Sequence, residues 1–125
     1  MEELRGGADV VLKKIMRQAA AERASDVHIE PGASFVRVRF RKDGLLSDRF
    51  CLSSSMAPNL SVRVKVLGRL DVGESRLPQD GSWAEEIDGV PYDFRISILP
   101  SMYGETIVIR IPVSYTHLTL PTTPY

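Results

Sequence analysis

Asp26, His28 and Glu30 alternate along one short segment, and Arg37, Arg39 and Arg41 alternate along the next. A period of two places each set on one face of an extended strand. Imidazole and carboxylate groups converging from one face can hold a cation, but no second cluster of ligands follows. The set therefore reads as a solvated or interdomain surface, and no metal is assigned. The arginine row offers charge suited to phosphate, yet no aromatic ring is interleaved on its face to stack a base. It reads as a salt-bridge surface towards a neighbouring domain or subunit, and no direct contact with nucleic acid is expected. Arg76, Gln79 and Asp80 fall within Arg76-Leu77-Pro78-Gln79-Asp80-Gly81, where proline and glycine supply turn chemistry. That segment is either a plain turn or a loop through which those side chains contact a neighbouring domain. The Gly-x-x-x-x-Gly-Lys-Ser/Thr loop that cradles a triphosphate and places Mg²⁺ does not occur, so this chain is not expected to hydrolyse ATP by itself.

These residues need elements to hold them. From Asp9 to Arg23 the apolar residues Leu12, Ile15, Met16 and Ala19 recur at helical spacing, with Asp9 as a candidate N-cap. Val27 to Glu30 alternates as a first strand and stops at Pro31-Gly32. Phe35 to Arg41 alternates strictly, and Asp43-Gly44 supplies the positive φ angles of a tight hairpin, so Leu45 to Phe50 returns antiparallel. Ser53-Ser54-Ser55 and Pro58 read as the entry to a helix. Beyond them the pattern divides: Val62, Val64 and Val66 alternate like a strand, while Leu60, Val64, Leu67 and Leu70 form a helical stripe. Local pattern alone leans to the strand. Pro78 to Gly81 is read as a turn, followed by a second hairpin of Ser82 to Ile87 and Val90 to Leu99 around Asp88-Gly89. Trp83 and Tyr92 are expected to pack across it. Thr106 to Ile111 is a β-branched run that makes a last, buried strand.

At 125 residues the chain has room for one domain and not for two. Its 16 basic and 16 acidic residues cancel, so no global field points to a polyanion. One cysteine, Cys51, leaves no intrachain disulfide and no cysteine-based zinc cluster, as expected of a cytoplasmic protein. No long uncharged apolar run marks a signal peptide or membrane span. Residues 1–8 are expected to be a flexible amino terminus and 9–112 the domain. Residues 113–125, uncharged and rich in Thr and Pro, read as the translation of a sequencing adapter and are expected to be non-native.

Several segments in order carry a resemblance: Ala24-Ser25-Asp26-Val27-His28-Ile29-Glu30-Pro31, Val36-Arg37-Val38-Arg39-Phe40-Arg41-Lys42-Asp43-Gly44, Arg76 to Gly81, and Asp93-Phe94-Arg95-Ile96-Ser97-Ile98-Leu99-Pro100. With Arg63-Val64-Lys65-Val66 before Leu70-Asp71-Val72, and Gly104-Glu105 before the last strand, the chain from Val10 to Ile111 resembles the type II secretion and type IV pilus (competence) assembly ATPases. The resemblance implies an α+β, single PAS-like domain, a mainly antiparallel sheet with two packed helices. In the intact protein a RecA-like ATPase domain would follow and assemble into a homohexamer, with ATP and Mg²⁺ as the parent's cofactors and none bound by this chain alone. It implies a helix from about Leu60 to Leu70, overriding the alternation. It implies that Arg95 reaches towards the nucleotide phosphates, a task suited to a planar, permanently charged fork; without the motif Arg95 would read as a strand arginine solvating the sheet. Arg76, Gln79 and Asp80 become candidate coupling residues. Ser82 stands where the family often has a second arginine, and with the short amino terminus this looks competence-like. Other implied partners are neighbouring subunits and an inner-membrane platform protein, with the motor peripheral at the inner face of the cell membrane. The competing expectation is a free-standing PAS-like module that binds a small ligand or another protein.

Overall fold

The computed structural model describes residues 1–112, and the adapter-like segment 113–125 lies outside the described residues. Strands β1 (Glu2–Glu3), β2 (Asp26–Pro31), β3 (Phe35–Lys42), β4 (Leu45–Ser53), β5 (Gln79–Ile87), β6 (Val90–Ser101) and β7 (Gly104–Arg110) form one sheet in the order β1-β4-β3-β2-β7-β6-β5. Every pairing is antiparallel except that of β1 with β4. Helices α1 (Ala8–Ala21) and α2 (Met56–Gly68) complete an α+β fold.

The alternation of each strand sorts its side chains into a dry and a wet face. Val27, Ile29, Val36, Val38, Phe40, Ile96, Ile98, Ile107 and Ile109 are buried against α1 and α2. α1 presents Val11, Leu12, Ile15, Met16 and Ala19 to this core, the stripe its spacing predicts. α2 buries Leu60, Ser61, Val64 and Lys65, two residue pairs one turn apart, while Val62 and Val66 face solvent. The helix expected from the resemblance is thus present and begins earlier, at Met56. The valine alternation carries no strand because packing on the sheet selects the four-residue spacing.

Both hairpins close as the Asp-Gly pairs require. Asp43 and Gly44 take φ of 52° and 82°, and Asp88 and Gly89 take 51° and 81°. Three expectations change. Asp9 lies in the first turn of α1 and is not its cap: Gly7 is, with no side-chain cap bond. Gln79, Asp80 and Gly81 are not a turn but open β5, pairing with Ile98, Ser97 and Ile96. The chain reverses earlier, between Arg69 and Pro78, where Arg69 ends α2 in the left-handed region at φ 57°. Trp83 and Tyr92 do not oppose each other; each packs on Phe94, with ring centroids 4.8 and 5.4 Å away. At the amino terminus, residues 2–3 pair with Phe50 and Cys51, and Leu4 is buried.

Candidate functional site

The wet face of the sheet collects the charges singled out by their alternation. In the β2–β3 ladder Asp26 stands opposite Arg41, His28 opposite Arg39 and Glu30 opposite Arg37. Arg37 and Arg39 both donate to the Glu30 carboxylate, at 3.4 and 3.0 Å. Asp26, almost fully buried, accepts from Arg110 Nε of β7 at 3.2 Å, from the Ser25 hydroxyl at 2.9 Å, and has Arg41 Nε at 3.7 Å. Each arginine of the row thus has a carboxylate within its own sheet, but Asp26 and Glu30 are shared among Arg37, Arg39, Arg41 and Arg110, so the face keeps an excess of positive charge. Among the described residues no group of His, Cys, Asp and Glu side chains could hold a metal ion. His28 sits in the middle of this ladder with its pKa lowered from 6.5, chiefly because burial disfavours the imidazolium. Glu30 and Asp26 oppose the shift, while Arg41 and Arg39 add to it.

Arg95 projects from β6 onto the same face. Its cross-strand neighbours are Ser82 on one side and Arg110 on the other, and its one ion pair among the described residues is to Asp93 at 3.0 Å. The guanidinium side chain is 65% exposed, so most of its donors are free for an incoming anion. Asp80, opposite Ser97, shares this face one step along the ladder, at the diagonal of Arg95. Gln79 points the other way, into the loop between α2 and β5. Its amide nitrogen donates to Asp71 O at 3.0 Å and Glu74 O at 3.3 Å, and its amide oxygen accepts from Asp71 N at 2.8 Å. Arg76 is exposed in that loop, where its backbone N–H and that of Leu77 donate to the Glu74 carboxylate. The sequence-predicted residues thus divide: Asp80 and Arg95 lie on the open face, while Gln79 organises the loop that carries Arg76.

Two residues that lie in segments carrying the resemblance, but to which sequence reasoning gave no role, stand behind this loop. Lys65 of α2, 3% exposed at its side chain, donates to Glu105 Oε1 of β7 at 2.9 Å and to Glu74 O at 2.6 Å. Apart from lying in those segments, their signal in sequence is position: Lys65 adjoins the Leu60–Val64 stripe, and Glu105 precedes the β-branched run.

A family model described as "Type II/IV secretion system protein" matches residues 5–120 of the chain. The chain belongs to this family. Within it, the secretion-family chain is 43% identical over 101 residues to the protein transport protein HofB homolog of Escherichia coli (strain K12), covering 81% of the chain and 22% of that protein. It is 40% identical over 118 residues to the type II secretion system protein E of Klebsiella pneumoniae, covering 91% and 24%. To the type II secretion system ATPase E of Vibrio cholerae it is 39% identical over 101 residues, covering 81% and 20%. The secretion-family chain thus spans under a quarter of the length of these relatives. The X-ray structure of the Legionella pneumophila ATPase DotB superposes on the whole chain and 32% of that protein, with a TM-score of 0.59 at 18% identity, a likeness of fold. No helix among the described residues is long and apolar enough to cross a membrane.

Proposed function

We propose that residues 9–112 serve as the nucleotide-coupling domain of a hexameric motor ATPase that drives protein secretion, pilus assembly or DNA uptake. The observation that carries this reading is the setting of Arg95: β6, paired on both sides within the sheet, holds it, its side chain is largely exposed, and among the described residues a single exposed carboxylate engages it. A guanidinium so placed can turn from Asp93 to a phosphate at small cost, since an exposed ion pair is worth only about 0.2–1 kcal/mol. Phosphate oxygens then receive two parallel N–H donors. ATP and Mg²⁺ would be held by a RecA-like domain elsewhere in the longer protein, and Arg95 is the residue of this chain that fits the nucleotide. What ATP supplies when bound is the free energy of phosphoryl transfer; what this domain supplies is a charged sensor on a stiff plate. Arg76 and Asp80 are the candidate coupling contacts, and Gln79 serves the same coupling by holding the loop that carries Arg76. Neighbouring subunits and a platform protein at the inner face of the cytoplasmic membrane are the proposed partners.

A chimera tests the reading: residues 9–112 replace the corresponding segment of the Vibrio cholerae ATPase E, and ATP turnover is followed. The parent chimera should turn over ATP, and Arg95→Ala should lower kcat at least tenfold with Arg95→Lys in between, as expected for loss of about 1.4 kcal/mol or more of transition-state stabilisation. Unchanged turnover in Arg95→Ala would remove the phosphate role.

A further inference from the structure

The segment from Asp71 to Pro78 has no apolar anchor: every residue in it is exposed except Glu74, which is half-buried. Its place is set by polar contacts: Gln79 makes two bonds with the Asp71 backbone, and two more meet on one atom. The carbonyl oxygen of Glu74 accepts from Gln79 Nε2 at 3.3 Å and from the buried Lys65 ammonium at 2.6 Å. The shorter of these bonds is charge-assisted and screened from water, which makes it the stronger.

Stability is a poor reason for burying Lys65. A buried ion pair is often no better than well-packed apolar residues of the same volume, because both charges lose their hydration. This pair is also not optimised as a pair, for Glu105 Oε2 is buried and has no hydrogen-bond partner among the described residues. The lysine side of the arrangement is the satisfied one, and its second acceptor belongs to the loop. Glu105, fixed on β7, holds the ammonium at the height of the loop carbonyl. An apolar residue at position 65 could fill the space but could not grip the loop.

We propose that Lys65, its ammonium held in place by Glu105, is a positioning residue that pins the Asp71–Pro78 loop, and with it Arg76, to the α2–β7 junction. What the pinned loop is for rests on the motor reading above; that it is pinned does not.

The test is amide hydrogen exchange on the 125-residue chain, comparing wild type with the double variant Lys65→Met/Glu105→Leu. Replacing both charges removes the grip without stranding a buried charge. Exchange at the Ile29 and Ile107 amides of the central ladder should then stay within about twofold of wild type. The Arg76 and Leu77 amides should exchange roughly 10- to 100-fold faster, the loss of one charge-assisted hydrogen bond. Loop amides that keep their wild-type rates while the sheet stays protected would overturn the proposal. Should the double variant not fold, the wild-type chain still decides: the Lys65 ammonium protons must exchange far more slowly than those of exposed lysines such as Lys13, and equal rates would overturn it. Arg95→Ala in the chimera lowers turnover without touching these loop amides, so failure of the motor reading and failure of the loop clamp are seen separately.

Discussion

Two carboxylates in this domain are almost equally buried, yet removing their charge should have very different costs. Glu105 and Asp26 have side chains each 8% exposed. What differs is the partner left behind. Glu105→Gln strands the Lys65 ammonium, 3% exposed, beyond the reach of water. Breaking a buried pair in this way costs about 3–5 kcal/mol, and because Lys65 keeps the Glu74 carbonyl the lower figure, about 3 kcal/mol, is expected. Asp26→Asn leaves Arg41 and Arg110, whose side chains are 36% and 73% exposed and can turn to solvent. The amide oxygen still accepts from Ser25, so the cost is that of exposed ion pairs, about 1 kcal/mol. The gap of about 2 kcal/mol should appear as a melting temperature roughly 10 °C lower for Glu105→Gln than for Asp26→Asn. Urea titration followed by the fluorescence of Trp83, buried against Phe94, gives the same comparison at constant slope. Equal losses in the two variants, or a loss below 1 kcal/mol for Glu105→Gln, would refute the premise that partner exposure sets the cost.

Phe94 is fully buried and is the ring on which both Trp83 and Tyr92 rest, so Phe94→Ala should cost about 4 kcal/mol in urea titration. A Cβ at Gly81 would lie 2.8 Å from Leu70 Cδ2 and 3.2 Å from Gly68 O, so Gly81→Ala should destabilise by about 1–2 kcal/mol, again read as a lower urea midpoint. The pKa of His28 is depressed in the fold below the 6.5 of the open chain, so the unfolded state takes up the extra proton. Its contribution to stability is complete above pH 6.5 and is lost as pH falls through the folded value; His28→Gln should flatten that part of the stability–pH curve. Arg95→Ala should change the melting temperature of the isolated chain by no more than the scatter of a surface substitution, because its one ion pair among the described residues is exposed at both ends.

The hairpins were legible in sequence because their determinants are adjacent: Asp43-Gly44 and Asp88-Gly89 fix the turn, and the turn fixes the register. α2 was legible only in part, since a valine alternation and a leucine stripe coexist and the sheet beneath decides between them. The segment from Gln79 to Gly81 has the composition of a turn, but its pairing with β6 is imposed from across the sheet. The charged ladder shows the same limit at the site. Alternation placed Asp26, His28 and Glu30 on one face and the arginines on another strand's face, yet nothing local says that those faces coincide one strand apart. The Lys65–Glu105 contact joins residues forty positions apart, and no spacing rule reaches that far.

The order of the strands also bears on how the domain is made. β2 lies between β3, its neighbour in sequence, and β7, whose Arg110 stands opposite Asp26 across 84 residues of chain. The first half can zip locally through β2, β3 and β4, and the second through β5, β6 and β7, but among the described residues the halves pair within the sheet only along the β2–β7 ladder. Contacts of such sequence separation form late, after the loop-closure entropy has been met. On a ribosome, β2 must therefore wait with one edge open until residue 110 has left the exit tunnel. A nascent chain stalled before that point would expose Asp26 to Pro31 as a free strand edge, the place where a chaperone would find it or another copy would pair with it.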